Sequence, residues 1–550
     1  MARHGRWHGT AEDTARRKTR HGVRRRTAAT TRARCTDVET GEPRAGGTAG
    51  QVTVGLEISQ WKYLSSEGDD PQMHAILSVR VDGTGGGGSA GPLLAQVLAV
   101  DCSSSMSWPP DKLHAAQQAA VAAIRMLPDG TPFAVVRGDD RAAMVYPDTP
   151  GMARADARRR AEAERAVLRL VAGGGTCIGA WLDLSRRLLA EQDAPIGHVL
   201  LLTDGKNQHD EQMPLARVLE TCAGRFVCDA WGIGDGWDAH ELLRITSRLH
   251  GSASSVHDEA DLPAEYEKLM ARLLTKTVPE LTVSVTPMGG SAVRYLKQVF
   301  PTEVELVAEP AEEGTDGRDG RDGTNGTDGT GGTGGIRFVT RAWGDETRRY
   351  QLCLSADPTG HPRGVDLQLA VVSVGVPGGE VLLPPPQPCV VHWTDNPALS
   401  RHTDAQVEHF EQHQRLGEAV AAAADAHRRG ERDLAEHQLG RAAQLAQAMG
   451  ADEQLARLAR LVEIVDAGAA QVRLRPEVTA IDFQHLITAS SHSTYGPVSG
   501  IDASGTSGAA GAGGTGESAG ATVPCPACHR KVPATSRFCT YCGHPFAERP

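Results

Sequence analysis

Long apolar runs are missing from this sequence. No stretch of about 18 consecutive apolar residues occurs in the 550-residue chain, so we expect no membrane-spanning helix. The arginine-rich beginning is not followed by the apolar stretch of a secretion signal. Aromatic residues make up only 4% of the chain, whereas glycine and proline number 62 and 31. This composition predicts several domains with much loop and linker between them.

An excess of positive charge is also lacking. The net charge of −11 argues against general nucleic-acid binding by the whole chain. Residues 1–50 are the exception, because they are dense in arginine up to Arg34. We interpret them as a disordered basic leader, and the alternative is a basic arm for nucleic acid or anionic lipid. The 11 cysteines are odd in number and mostly scattered, which indicates reduced thiols and predicts a cytoplasmic location.

The order of hydrophobic patterns predicts a multidomain chain of the α/β plus β class. Residues 51–92 contain short β-branched runs typical of strands. Residues 93–275 alternate apolar strands with amphipathic helices, which predicts a doubly wound, Rossmann-like domain. Residues 276–396 return to β character, and a Gly-rich segment at 312–335 is predicted to be a disordered loop. We expect the strands of 51–92 to join those of 276–396 in one β-sandwich that flanks the α/β domain.

The remainder of the chain divides into three segments. Residues 403–468 are rich in Ala, Gln, Glu and Leu, and breaks at Gly430 and Gly450 predict three helices in a small bundle. Residues 485–522 are predicted to be a flexible linker. Residues 523–547 contain four clustered cysteines.

Oxygen-bearing side chains follow two apolar strands of the α/β domain. Asp101, Ser103 and Ser105 follow the run LLAQVLAV, and Asp204 follows HVLLLT. Thr176 lies between them, in a glycine-rich loop before a helix. Ligands of open parallel sheets bind beyond the carboxyl ends of the strands. Hydroxyl and carboxylate oxygens suit Mg²⁺ or Mn²⁺ better than zinc.

These five residues match the metal-ion-dependent adhesion site of the von Willebrand factor A (vWA) family. The resemblance covers roughly residues 93–275. It implies that Ser103, Ser105 and Thr176 contact the metal, that Asp101 and Asp204 act largely through water, and that an acidic group of a partner completes the coordination. The glycines at 232, 234 and 236 do not have dinucleotide-loop spacing and are interpreted as a structural turn. Cys102 and Cys177 are interpreted as buried small residues rather than redox groups.

The C-terminal cysteines have the spacing of a zinc site. Two C-x-x-C pairs are separated by ten residues, a pattern that resembles the zinc-ribbon family and predicts one tetrahedral Zn²⁺. Its ligands would be Cys525, Cys528, Cys539 and Cys542. Such a ribbon serves either as a docking module or as a small structural element.

Together these features predict a cytoplasmic binding or scaffold protein rather than an enzyme. The order of segments resembles bacterial vWA proteins, including the tellurite-resistance-associated group, some of which are linked with signalling. The alternative is a subunit similar to the vWA component of metal chelatases, which works beside an ATPase. The sequence has no Walker A pattern, so an ATPase would have to be a separate chain. An extracellular adhesin is disfavoured because a secretion signal is not recognisable.

Overall fold

The computed structural model describes residues 51–67, 71–84, 93–208, 211, 213–310, 335–378, 381–493, 522–524 and 531–533. The strands, in chain order, are β1 Val52–Gln60, β2 Tyr63–Ser65, β3 Gln72–Asp82, β4 Leu94–Asp101, β5 Pro132–Gly138, β6 Ala142–Tyr146, β7 Ala153–Arg154, β8 Ile196–Thr203, β9 Val227–Gly232, β10 Ala253–Ser255, β11 Val278–Pro287, β12 Ala292–Phe300, β13 Val304–Glu305, β14 Ala308–Pro310, β15 Ile336–Trp343, β16 Glu346–Ser355, β17 Asp366–Gly375, β18 Val381–Leu382, β19 Gln387–Thr394, β20 Val462–Asp466, β21 Gln471–Leu474, β22 Thr522–Pro524 and β23 Lys531–Pro533. The helices are α1 Pro110–Met126, α2 Ala157–Val167, α3 Ile178–Ala190, α4 Leu215–Cys222, α5 Ala239–Arg248, α6 Leu262–Leu274, α7 Pro397–Ser400, α8 Ala405–Arg428, α9 Arg432–Ala448, α10 Asp452–Leu461 and α11 Ala480–Ser490.

The α/β domain is built on a mostly parallel sheet with the strand order β10-β9-β8-β4-β5-β6. Every residue of β4 is buried, because β4 is central and pairs with β5 on one side and β8 on the other. Alternate residues of β4 enter two cores: Leu98 packs with α1, α2 and α6, and Val97 with α3, α4 and α5. This two-sided burial explains the continuous apolar run. After β4 the chain adds β5 and β6 on one side of it, and then returns to add β8, β9 and β10 on the other side. The carboxyl ends of β4 and β8 therefore form a topological switch point of the sheet.

Two six-stranded sheets accompany this domain. One has the order β13-β12-β16-β3-β1-β18, and the other has the order β14-β15-β11-β17-β19-β2. Strand β3 pairs antiparallel with both β1 and β16, so strands before and after the α/β domain share one sheet. Side chains from both sheets form one buried cluster, which includes Leu77, Val283 and Trp343.

The helices α8 to α11 extend the core of the α/β domain. Helices α8, α9 and α10 are separated at Gly430 and Gly450, as predicted, and both glycines have a positive φ. Buried side chains of α8, α9 and α11 belong to the same cluster as those of α3, α4 and α5. Among the described residues, no helix is long and apolar enough to cross a membrane.

Two predicted boundaries differ from the structure. The helical region predicted for 403–468 ends in a β-hairpin, since β20 begins at Val462 and pairs with β21. The flexible linker predicted for 485–522 is wrong at its start, because residues up to Ser490 belong to α11. Phe483, Leu486 and Ile487 are buried and hold α11 against the rest of the fold.

The predicted leader lies outside the described residues. The predicted Gly-rich loop also lies outside them, apart from the last residue of that loop, Gly335. The four zinc-ribbon cysteines lie outside them as well. Strands β22 and β23 pair with each other antiparallel, and the chain between them contains Cys525 and Cys528.

Candidate metal centre

Asp101 is the last residue of β4 and is fully buried. Its Oδ1 accepts a hydrogen bond from the backbone N–H of Ser103 over 2.7 Å, and its Oδ2 accepts one from Thr203 Oγ1 over 2.6 Å. Burial raises the pKa of Asp101 to about 6, while the hydrogen bonds from Thr203 and Ser103 act in the opposite direction. A carboxylate held in this way at a strand end is positioned to balance the charge of a cation.

The two predicted serines lie in the short turn that follows β4. Ser103 Oγ and Ser105 Oγ are 3.0 Å apart. Ser105 Oγ donates a hydrogen bond to Asp204 Oδ1 over 2.7 Å. Asp204 follows β8 and is fully buried. The turn after one strand is therefore joined to the end of its neighbour by a continuous row of oxygen atoms.

Thr176 reaches the same place from the loop before α3. A Cβ atom built on Gly205 would lie 3.1 Å from Thr176 Oγ1 and 3.8 Å from Ser105 Oγ. Gly205 thus occupies the narrow space between these hydroxyls, where a larger residue would crowd them. The backbone supports the arrangement, because the Thr176 carbonyl accepts a hydrogen bond from Gln208 N over 2.8 Å. The structure brings all five predicted residues of the α/β domain together.

Lys112 is a member of this site that was not predicted from the sequence. It lies in the first turn of α1, and its Nζ is 2.8 Å from Asp204 Oδ2. A signal for it exists in the sequence, because Lys112 precedes Ala116 by four and Ala119 by seven residues on the buried face of α1. A charge on an apolar helix face usually has a buried partner. Thr203 was missed as well, since its contact with Asp101 crosses between strands.

The glycine turn after β9 is structural, as the spacing of its glycines indicates. A Cβ atom on Gly236 would lie 2.6 Å from the Asp204 carbonyl oxygen, and one on Gly234 would lie 2.7 Å from Lys112 Cε. Gly234 also has a φ of 63°. The turn therefore packs directly against the residues of the site.

The two cysteines next to the site are buried thiols. Cys102 is fully buried and Cys177 is 2% exposed. Burial raises the pKa of Cys102 to about 12, which disfavours the reactive thiolate. Both observations fit the interpretation of these cysteines as small packing residues.

The donor set of the site fits a hard divalent cation. It comprises three hydroxyls and two carboxylates, all oxygen donors. Over the part of the chain that the structure describes, there is no group of three or more His, Cys, Asp or Glu with the geometry of a metal site. The proposed centre differs from such a group, because three of its five donors are neutral hydroxyls and only two are carboxylates.

Comparisons with known proteins identify the family that the α/β domain resembles. The family model of the von Willebrand factor type A domain matches residues 95–255. A structure of von Willebrand factor type A from Catenulispora acidiphila is 29% identical, with a TM-score of 0.70, and the match covers 82% of this chain and 99% of that chain. This likeness extends well beyond the α/β domain, so the flanking sheets and helices belong to a shared architecture.

Two more distant structures also match. One is the ArnB paralog VWA2 from Sulfolobus acidocaldarius, at 12% identity and a TM-score of 0.46 over 80% of this chain and 98% of that chain. The other is proximal thread matrix protein 1 from the mussel byssus, with a zinc-occupied metal-ion-dependent adhesion site, at 21% identity and a TM-score of 0.27 over 33% of this chain and 46% of that chain. No protein with a curated description matches the sequence. From the family match and the convergence of the five site residues, the chain contains a von Willebrand factor type A domain, the fold of a metal-dependent protein-interaction module.

Proposed function

We propose that this chain is a non-enzymatic binding protein that captures a carboxylate of a partner protein through Mg²⁺ or Mn²⁺ at its vWA site. The observation that carries the proposal is the row of contacts from Ser103 Oγ to Ser105 Oγ and on to Asp204 Oδ1, at 3.0 and 2.7 Å. Such a cluster of hydroxyl oxygens beside buried carboxylates is costly to desolvate unless the oxygens share protons or a cation. Of the five residues, Ser105 is exposed to solvent and the other four are buried.

Each residue of the site has a distinct task in this proposal. Ser103, Ser105 and Thr176 would hold the cation directly, and Asp101 and Asp204 would supply negative charge around it. When bound, the cation supplies Lewis acidity toward an incoming carboxylate oxygen. Because three of the five protein donors are neutral, Asp101 and Asp204 are the donors that offset the charge of the cation.

The exposed apolar surface around the site favours a carboxylate that belongs to a partner protein over a small free carboxylate ion. Trp108 is 76% exposed and ends the turn that carries Ser103 and Ser105. Val171, in the loop before Thr176, is 69% exposed. The two loops are joined, because Ser104 donates hydrogen bonds to the Gly174 carbonyl from its backbone N–H and its hydroxyl. Exposed aromatic side chains of this kind are frequent anchors in protein interfaces.

One buried group of the α/β domain has the residue types of a hydrolytic triad but not its contacts. His198 Nε2 lies 3.0 Å from Asp229 Oδ2, and His198 is fully buried. Ser252 Oγ donates to Asp229 Oδ1 over 2.6 Å, so the hydroxyl is directed to the carboxylate rather than to the histidine. A nucleophilic serine requires a hydrogen bond to its general base.

The C-terminal segment adds a second proposed metal. Cys525, Cys528, Cys539 and Cys542 would bind one Zn²⁺, and the ribbon would give the protein a second contact surface for a partner. We further propose that the protein acts in the cytoplasm, in bacterial signalling or a stress response. The spacing of the cysteines supports the zinc site, whereas the cellular role rests on the resemblance to bacterial vWA proteins.

A pull-down from lysate tests the main proposal. The full chain is used as bait in Mg²⁺ and in EDTA, beside Asp101→Ala and the control Asp235→Ala, which removes an exposed carboxylate near the site. We expect EDTA and Asp101→Ala to lose the same partners and Asp235→Ala to keep them. A partner set that is the same under all four conditions contradicts a cation-bridged contact.

A further inference from the structure

The two carboxylate oxygens of Asp204 have different partners. Oδ1 accepts the hydrogen bond from Ser105 Oγ, on the side of the predicted metal ligands. Oδ2 is 2.8 Å from Lys112 Nζ. The lysine side chain is 4% exposed and the aspartate side chain is fully buried. The carboxylate of Asp204 is thus shared between the Ser105 hydroxyl and the buried ammonium group of Lys112.

Lys112 is held in this position by its surroundings. Its Nζ also donates to the Ser105 carbonyl over 3.3 Å, so it contacts the serine turn as well as Asp204. Gly234 leaves space for its side chain, since a Cβ atom there would be 2.7 Å from Cε. Burying an ammonium group is unfavourable unless it is paired, and the fold provides the pair.

We infer that Lys112 sets the charge of the metal centre and so couples occupancy by a cation to capture of an acidic partner; this inference rests on the proposed function. With both aspartates ionised, the site carries two negative charges, and the lysine reduces the sum to one. A divalent cation then leaves the site with one net positive charge. Without the lysine, the loaded site would be neutral.

The positive charge of Lys112 has two opposite effects. It weakens the binding of a cation on its own, because the ammonium group repels it at short range and with little solvent between them. It also strengthens the attraction of the loaded site for a carboxylate, because the positive charge is not cancelled. The lysine therefore makes the centre hold its cation firmly only together with an acidic group.

Calorimetric titration of the full chain with Mn²⁺ alone tests the inference. The proteins are the wild type, Lys112→Met, Lys112→Gln and the control Lys206→Met, which neutralises a lysine that is 58% exposed near the same loop. Asp101→Ala gives the baseline for binding elsewhere. We expect both neutral Lys112 variants to bind Mn²⁺ at least tenfold more tightly than the wild type and Lys206→Met to change by less than twofold.

The outcomes separate the two claims. If neither the wild type nor either Lys112 variant binds Mn²⁺ beyond the Asp101→Ala baseline, the proposed metal site is wrong, whereas binding that is seen only in the Lys112 variants supports the inference. If the wild type binds Mn²⁺ but neither Lys112→Met nor Lys112→Gln binds it more tightly, the metal site stands and the role of Lys112 is wrong. Two neutral variants are used because Gln retains a hydrogen-bond donor, and thermal unfolding checks that each is folded.

Discussion

Thr203 on β8 donates a hydrogen bond from Oγ1 to Oδ2 of Asp101 on the neighbouring strand β4, over 2.6 Å. The same hydroxyl accepts a hydrogen bond from Gly205 N over 3.1 Å. Thr203 thereby connects the carboxylate at the end of one strand to the loop that carries Asp204. It fixes the orientation of a group that the proposed metal site depends on.

Thr203→Val is expected to weaken Mn²⁺ binding by roughly tenfold, because a hydrogen bond to a charged group contributes about 1.5–3 kcal/mol. Valine has the same shape as threonine and keeps the packing. The matched control is Thr246→Val, which removes a buried hydroxyl that donates to the Leu242 carbonyl in α5. Calorimetric titration measures both. An equal loss in the two variants would indicate a general effect on the fold rather than on Asp101.

The parallel sheet and the five site residues were predictable because their cause is local in the sequence. β4 is buried on both faces, so its residues before Asp101 are apolar without alternation apart from Gln96, and a carboxylate at the end of such a strand or directly after it is conspicuous. Asp101 and Asp204 both have this position. The two missed residues, Lys112 and Thr203, act through contacts between elements far apart in the chain. The local pattern marks Lys112 as a charge on an apolar helix face, but it does not identify Asp204 as its partner, and no local pattern marks Thr203.

Helix α11 was not predicted as part of the fold for a related reason. It combines buried apolar residues with polar residues that bind the α/β domain. Gln484 Oε1 accepts a hydrogen bond from Ala239 N over 2.7 Å, and His485 Nδ1 lies 2.8 Å from Ser255 Oγ. In the sequence, polar residues that face another domain have the same appearance as polar residues that face solvent.

Trp108→Ala is expected to weaken recovery of the metal-dependent partner by at least about tenfold and to leave Mn²⁺ affinity unchanged. An exposed tryptophan at an interface often contributes roughly 2 kcal/mol or more. Its side chain is 76% exposed, so its loss costs the fold little. Quantitative pull-down and Mn²⁺ titration are the two measurements. The control is Leu434→Ala, which removes an exposed apolar residue on α9. Full recovery with Trp108→Ala would exclude this side chain from the contact surface.

Stability should fall when the pH is lowered from about 6.5 toward 4. Burial lowers the pKa of His413 to about 4, and the nearby positive groups act in the same direction, against a hydrogen bond with the His492 carbonyl. In this range the unfolded chain binds a proton at residue 413 that the folded chain does not, so acidification favours unfolding. The contribution is complete above pH 6.5 and is lost as the pH approaches 4.

His413→Gln is therefore expected to reduce the pH dependence of the free energy of unfolding by about one proton, or roughly 1.4 kcal/mol per pH unit. Urea unfolding at several pH values between 4 and 7 measures this slope. His437→Gln, at an exposed position on α9, is the control and should keep the wild-type slope. A slope that is the same in both variants would show that residue 413 does not titrate in this way.

The four-cysteine segment should bind one Zn²⁺ per chain. Cys528→Ser is expected to abolish this zinc, because three remaining thiolates cannot complete a closed tetrahedral site. Elemental analysis of the purified full chain measures the zinc content. Cys353→Ser is the control, since Cys353 Sγ contacts Gln72 Oε1 at 3.4 Å and a serine hydroxyl can donate to the same oxygen. Zinc retained by Cys528→Ser and lost by Asp101→Ala would assign the ion to the vWA site instead.

Phe483→Ala should destabilise the vWA sheet although residue 483 lies more than two hundred residues away from it in the chain. Phe483 is 1% exposed, stacks on His427 of α8, and belongs to the cluster that contains the core of β8. Removing a buried phenylalanine costs about 3–5 kcal/mol. Because the cluster is shared, we expect faster hydrogen–deuterium exchange in β8 as well as in α8. Leu434→Ala should leave both unchanged. Faster exchange confined to α8 and α11 would mean that the helices unfold independently of the vWA domain.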